Sequence, residues 1–302
     1  HILWNNKFEY FDRTLLMLYY RLLGKRIVFT AHNVNSGKRD SNDSLFNRFT
    51  LRMQYMLANH IFVHTEKMKG EILRDFRILE AKVSVIPHGI NNSCPNTDLT
   101  PAQAKQRLGI RGGEKTVLFF GSLRPYKGLE YLVDAFLRLT ETHPEYRLII
   151  AGGWRKGSEE YLEKIQRTIA GHANRGQVMQ KVEHIPDEEA EIYFKAADVL
   201  ALPYTYIFQS GVLFVAYCFG LPVIATDVGS LREDIVEGTT GFLCKPCDPV
   251  DLTRVIEKYF ESDVFKTLDH RRQEIRDWAK ALHSWDVIGE KTRDVYAELL
   301  GA

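Results

Sequence analysis

Short apolar runs alternate with amphipathic stretches along nearly the whole chain. Ile27 to Thr30 reads as a strand, and in Leu45 to Leu57 the residues Phe46, Phe49, Met53, Met56 and Leu57 recur at helical spacing. Ile61 to His64 is strand-like, Glu66 to Phe76 helical, and Val83 to Ile86 a strand. A second series begins with a strand at Thr116 to Phe120, a helix at Leu129 to Leu139, a strand at Arg147 to Ala151 and a helix at Ser158 to Ala170. It continues with a strand at Val182 to Ile185, a helix at Asp187 to Ala197 with Asp187 as N-cap, and a strand at Val199 to Leu202. A helix at Gly211 to Phe219, a strand at Pro222 to Thr226 and a long helical region from Trp278 to Leu300 complete it. Helical stretches that follow short apolar runs predict an α/β fold, parallel sheets covered by helices on both faces. In such doubly wound domains ligands bind beyond the carboxyl ends of the strands, where strand order reverses.

The composition shifts between Asn91 and Gly113, where Pro, Asn and Gly surround one short helix that starts after Thr100 with Pro101 in its first turn. This predicts a domain at residues 1–95, a linker at 96–115, a second domain at 116–277, and a C-terminal helix at 278–302. A length of 302 residues accommodates two medium domains. With 45% apolar and 26% charged residues the chain has an ordinary globular composition. Forty basic residues against 39 acidic give no reason to expect nucleic acid as a partner, although a few local cations suffice for a small anion.

The apolar stretch Thr14 to Tyr20 lies between Arg13 and Arg21 and is far shorter than the about 20 residues that span a bilayer. No signal peptide is visible. The expected location is cytoplasmic, at most peripheral to the inner face of the membrane. Arg13, Arg21, Lys25 and Arg26 flank this stretch, and Lys38, Arg39, Arg48 and Arg52 follow. A basic amphipathic helix of that kind can lie on an anionic leaflet, or it packs on a sheet with its charges solvated.

Of the four cysteines, Cys94 and Cys218 stand alone, while Cys244 and Cys247 have the spacing of a redox or zinc half-site. No second Cys/His pair stands nearby, and the run GFLCKPCDP reads as a strand end and a turn. Cysteine usage fits a reducing compartment. The opening residues HILWNN read as the end of a strand entering a loop, as if the sequence starts in mid-domain.

Candidate chemistry sits in the turns after strands. Gly121-Ser122-Leu123-Arg124-Pro125-Tyr126-Lys127-Gly128 carries a fork donor at Arg124 and a point charge at Lys127, both suited to phosphate oxygens, unless it is a solvated turn with routine cations. Gln209-Ser210-Gly211-Val212 opens a helix whose free N–H groups suit a pyrophosphate, unless Ser210 simply caps them. The turn with Asp227 and Gly229 reads as structural. His32 and His64 end apolar strands in the first domain, facing a cleft or held as hydrogen-bonded structural residues. There is no Walker lysine motif, no G-x-S-x-G elbow and no D-x-D metal motif. Glu188-Glu189 and Asp248/Asp251 look like helix starts.

Taken in order, FTAHNV, IPHGI, VLFFGSLRPYKGLEYLVDAF, LIIAGG, AADVLALPY, SGVLFVAYCFGLPVIATDVGSLREDIVEGTTGFL and SWDVIGEKTRDVYAELL make the chain resemble the family-4 retaining glycosyltransferases of GT-B fold. The resemblance implies two Rossmann-like doubly wound domains. The C-terminal one binds the nucleotide sugar, the N-terminal one holds much of the acceptor, and the final helix, Trp285 to Leu300, crosses back onto the N-terminal domain. It implies that Arg124 and Lys127 bind the donor phosphates and assist catalysis, and that Gly121, Ser122 and Gly152 line the donor site. Ser210, Gly211 and Val212 meet the pyrophosphate and sugar, and His32 positions the transferred hexose.

The chain departs from the family pattern in three ways. Ser122 stands where the family has a basic residue, so Arg124 is expected to supply that charge. Ile207 and Val215 stand where it has two glutamates, with Gln209 as the expected substitute. Much of the first half of the N-terminal domain is absent from the sequence, so its gap is expected to be covered by further sequence of the parent gene or by a homo-oligomer. The expected reaction moves a hexose from a nucleotide-diphosphate sugar, most commonly UDP-linked, to a saccharide, lipid-linked or small-molecule hydroxyl, with no metal and no cofactor. The alternatives are a nucleotide-binding module without transferase activity and a nucleotide-sugar epimerase.

Overall fold

The computed structural model of the protein describes residues 8–35, 37, 43–90, 95–154 and 157–301. The chain forms two compact units, residues 1–89 with 283–302, and residues 90–282. The expectations for HILWNN, Cys94, Lys38 and Arg39 fall outside the described residues.

In the first unit, β1 (Val28–Thr30), β2 (His60–Val63) and β3 (Val83–Val85) form a parallel sheet in that order. Val28 pairs with His60 and Ile61 with Val83. Helix Glu66–Phe76 is capped by Thr65, whose side chain accepts from the Met68 amide. The helix Trp285–Leu300 belongs to this unit and places Ile288 against Phe62 and Ile86. The expected single helical region from Trp278 is two helices, Leu268–His283 and Trp285–Leu300, because Ser284 turns extended and caps the second.

Helix Leu45–Leu57 has the expected bounds but not the expected face. It buries Asn47, Thr50, Leu51, Gln54 and Tyr55, and leaves Phe46 and Phe49 57% and 58% exposed. The buried polar groups are satisfied: Asn47 accepts from Arg13 and donates to Asn35, and the Tyr55 hydroxyl donates to the Val34 carbonyl.

The second unit holds a six-stranded parallel sheet of β4 (Lys115–Phe120), β5 (Tyr146–Ala151), β6 (Val178–Lys181), β7 (Val199–Leu202), β8 (Val223–Thr226) and β9 (Gly241–Cys244). Their order is β6-β5-β4-β7-β8-β9, so strand order reverses between β4 and β7. Alternate residues face opposite layers. Val117 and Phe119 pack with helices Leu129–Thr140 and Pro249–Glu261, while Leu118 packs with helices Asp187–Ala196 and Gly211–Cys218. That is the three-layer doubly wound arrangement, with both faces of the sheet dry.

Three sequence expectations are corrected in this unit. The strand expected at Val182 to Ile185 is four residues earlier, where Leu148 pairs with Val178 and Ala151 with Lys181. As an edge strand it carries Gln180 and Lys181, which break the apolar run. Asp187 is not an N-cap: Pro186 holds that position, and Asp187, Glu188 and Glu189 fill the first turn, where the helix dipole favours anions. The segment expected as a linker is packed into the unit, with Ala104 and Ile110 in its apolar core and the Thr97 amide and hydroxyl bonded to Glu191. Cys244 ends β9 buried and Cys247 is exposed with positive φ, both as free thiols, so the strand-end reading stands.

Candidate functional site

The reversal of strand order fixes where two loops diverge beyond the sheet, and the phosphate-binding candidates come from those loops. After β4 the Gly121 amide donates to Ala151 at 2.9 Å and the Leu123 amide to Gly153 at 2.8 Å. The turn thus stays tied to the chain leaving β5. Gly121 and Gly152 have φ of 107° and 146°, and a Cβ on Gly152 would lie 2.0 Å from the Gly121 carbonyl oxygen. Only glycine allows this approach. The turn after β4 is joined to the loop after β7 by the Thr205 amide, which donates to Tyr126 at 2.9 Å. The turn after β8 joins the same loop through the Ser230 amide, bonded to Phe208 at 3.0 Å.

Lys127 folds back into this junction. It is only 7% exposed, and its Nζ lies 3.0 Å from the point where a Cβ on Gly121 would stand. Val212, in the first turn of helix Gly211–Cys218, is 3.5 Å from the same point. Among the described residues Lys127 has no hydrogen bond and no ion pair; its ammonium sits 5.5 Å from the Tyr204 ring centre. Burial pushes its pKa below the ordinary lysine value, and the nearby Arg124 charge lowers it further. Arg124 is half-buried, and its guanidinium likewise makes no hydrogen bond or ion pair among the described residues. Ser122 is half-buried in the same turn.

Ser210 is buried, but its side chain does not cap the helix: Oγ lies 3.1 Å from the Tyr204 hydroxyl. The first N–H groups of the helix therefore have no side-chain acceptor from the N-cap residue, and Gly211 at its start is exposed. The uncapped helix start and the buried Lys127 ammonium meet beside Gly121, and the charge of Arg124 is near enough to act on Lys127. That arrangement suits an anion of high charge density, such as a diphosphate.

Gln209 donates to Asp234 Oδ2 at 3.2 Å, and its Oε1 is buried without a partner among the described residues. Burial raises the Asp234 carboxyl to about 7. Turning the amide over would let Gln209 Oε1 accept from a protonated Asp234 but would bury the amide nitrogen in the oxygen's place, so Gln209 keeps one polar atom without a partner among the described residues in either orientation. This pair escapes sequence reading because it joins loops 25 positions apart. Ile207 and Val215 are each 8% exposed within the apolar core, so neither position carries a polar contact.

In the first unit His32, His64 and His88 follow the carboxyl ends of β1, β2 and β3 respectively. Among the described residues no group of His, Cys, Asp or Glu is arranged to hold a metal, and no helix is long and apolar enough to cross a membrane.

Residues 102–278 match the family described as Glycosyl transferases group 1, and residues 9–93 match Glycosyltransferase Family 4. The chain is 28% identical over 289 residues to a D-inositol 3-phosphate glycosyltransferase of Corynebacterium diphtheriae, covering 90% of this chain and 65% of that protein. It is 26% identical over 245 residues to an uncharacterized glycosyltransferase of Methanocaldococcus jannaschii, covering 77% and 58%. The chain thus spans between about half and two thirds of the length of such curated relatives, 53% for one from Streptomyces avermitilis. Among solved structures it resembles Anabaena HepE in complex with UDP, with a TM-score of 0.83 at 18% identity, covering 96% of this chain and 77% of that one. It also resembles sucrose-phosphate synthase of Thermosynechococcus elongatus, with a TM-score of 0.78 at 22% identity, covering 94% and 71%. Those likenesses establish the fold, and the match over more than half of its length establishes the family: the chain belongs to the group 1, family-4 glycosyl transferases of GT-B fold.

Proposed function

We propose that the protein is a retaining glycosyltransferase that takes a hexose from a nucleoside-diphosphate sugar, UDP-linked, and delivers it to a hydroxyl of a saccharide or small-molecule acceptor. The observation that carries this reading is the buried Lys127 ammonium, without a protein counter-ion among the described residues, beside an uncapped helix start where strand order reverses. HepE, a structural neighbour, has been solved with UDP and with UDP-glucose, which supports the choice of carrier.

As the glycosidic bond to the diphosphate breaks, negative charge gathers on the departing phosphate. Lys127, Arg124 and the N–H groups at Gly211 and Val212 stabilise it, already oriented before the reaction starts. The departing phosphate oxygen takes the acceptor proton, so the new bond forms on the face the old one left. No metal is required by this scheme. His32 holds a hydroxyl of the transferred sugar. Gln209 and Asp234 fix the loop that presents Ser210, Gly211 and Val212, and apolar Ile207 and Val215 leave recognition of the sugar to the backbone.

The test is calorimetric titration of UDP, GDP and ADP, with and without their hexoses, into the protein and into Lys127→Ala. UDP is expected to bind, and the substitution to weaken it by about ten- to a hundredfold, the worth of a charge-assisted hydrogen bond. The melting temperature should hold or rise, because a buried unpaired cation is unfavourable to folding. Loss of affinity in step with loss of folding would sink the assignment.

A second property of the first unit is also proposed: contact with an anionic membrane surface, supported by exposed Leu15, Leu18, Leu22, Phe46 and Phe49 alongside exposed Arg48 and Arg52.

A further inference from the structure

The histidines of the first unit form a hydrogen-bonded relay whose proton positions follow from its ends. His64 Nδ1 lies 3.2 Å from the Ile86 carbonyl oxygen, and the backbone of Pro87, which has no N–H to offer, is its other neighbour there. Facing only carbonyl acceptors, Nδ1 carries the proton. A neutral His64 then has a lone pair on Nε2, and that atom lies 2.9 Å from His32 Nδ1. His32 Nδ1 is therefore the donor, and His32 Nε2 keeps the lone pair. Among the described residues Nε2 of His32 has no partner, and the residue is exposed.

We infer that His64 is a positioning residue: it fixes the tautomer and orientation of His32, so that His32 Nε2 presents a hydrogen-bond acceptor to a substrate hydroxyl. Free imidazole favours the opposite tautomer, with the proton on Nε2, so the choice has to be imposed by a second group, as when a carboxylate orients a catalytic histidine. The surroundings keep His64 neutral. Burial is the main cause, and the neighbouring His32 and His88 disfavour a further charge, which together bring its pKa down to about 4. The rings pack closely as well, with centroids 4.9 Å from His64 to His32 and 5.2 Å from His64 to His88. His88 is held in turn at its backbone, whose carbonyl lies 3.1 Å from His283 Nδ1. The consequence for transfer rests on the proposed function; the proton positions do not.

The experiment reads the imidazole nitrogens of the ¹⁵N-labelled chain by NMR near pH 7.5, in the wild type, His64→Phe and His64→Gln. In the wild type both His32 and His64 are expected as Nδ1–H tautomers. His64→Phe removes the acceptor, so His32 should revert mainly to Nε2–H. His64→Gln restores an acceptor for His32 while its amide donates to the Ile86 carbonyl, so His32 should keep Nδ1–H. In transfer assays His64→Phe should lower kcat about tenfold with the donor KM unchanged, the rate equivalent of one net hydrogen bond, and His64→Gln should recover most of it. An Nε2–H His32 in the wild type, or one indifferent to His64→Phe, overturns the inference. A His64→Phe protein that shifts the tautomer yet transfers at the wild-type rate overturns the positioning role. Should His64→Phe not fold, the wild-type and His64→Gln spectra decide alone. Absence of nucleotide binding would count against the proposed function and leave the NMR result to judge this relay by itself.

Discussion

Asp234 is a residue whose surroundings conflict with its chemistry. Its carboxyl is buried, among the described residues its side chain is bonded to Gln209 alone, and burial raises it to about 7. In the unfolded chain it titrates near the ordinary value of 3.8. Between those values the folded protein binds the extra proton. The contribution to stability is therefore complete below about pH 4 and is lost as pH rises through 7. Asp234→Asn removes this titration and keeps an amide able to pair with Gln209. The variant should be more stable than the wild type at pH 8, with its advantage shrinking by about 1.4 kcal/mol per pH unit as pH falls from 7 to 5. Urea unfolding at several pH values measures it, and a gap that does not change with pH would show that Asp234 ionises normally. Nothing in the sequence around Asp234 announces this. It lies in the run SLRED, and its burial comes with the packing of the loop after β8 on that after β7. Arg124, Lys127 and Gly211 are different, because neighbours in sequence placed after a strand are neighbours at the sheet edge in any parallel fold.

At the scale of elements, legibility tracked burial on both faces. β4, β7 and β8 are buried almost throughout, and their spans agree with the sequence pattern to within one residue. β6, an edge strand with Gln180 and Lys181, was displaced by four residues. Helix Leu45–Leu57 shows the opposite failure: the periodicity located the helix but pointed to the wrong side. Its buried face is held by Asn47 and Tyr55, whose partners Arg13, Asn35 and Val34 come from distant segments, and such hydrogen bonds leave no periodic trace. The exposed face combines Phe46 and Phe49 with Arg48 and Arg52, the pairing expected of a surface that meets anionic lipid. The wild-type protein should sediment with phosphatidylglycerol-containing vesicles and not with neutral ones. Phe46→Ser with Phe49→Ser should weaken that binding and change the unfolding free energy by no more than about 0.5 kcal/mol each, as for other exposed sites. A wild-type protein that ignores anionic vesicles would rule this contact out.

For the molecule as a whole, the two units carry opposite proton linkages. In the first unit His32, His60, His64, His88 and His283 all have pKa values pushed below the ordinary 6.5, with desolvation the leading cause in each. Held neutral when folded, they take up protons on unfolding. Their contribution is therefore present above pH 6.5 and is lost as pH falls toward the folded values. His64, brought to about 4, accounts for a loss of about 1.4 kcal/mol between pH 7.5 and 5.5 by itself. In the second unit Asp234 works the other way and adds about 2 kcal/mol over the same interval. Glu114, held near 2 by its hydrogen bonds to Arg147 and Arg111, stays charged throughout and contributes no change. Acidification from pH 7.5 to 5.5 should therefore loosen the first unit while tightening the second. Hydrogen exchange, corrected for the intrinsic pH dependence of the amides, resolves this: protection should fall in β1, β2 and β3 and rise in β7 and β8. A parallel change in both units would mean that the histidine cluster is solvated enough to titrate normally. Divergent protection would instead place the relay around His64 in a dry environment, the condition under which a neutral histidine can hold its neighbour in a single tautomer.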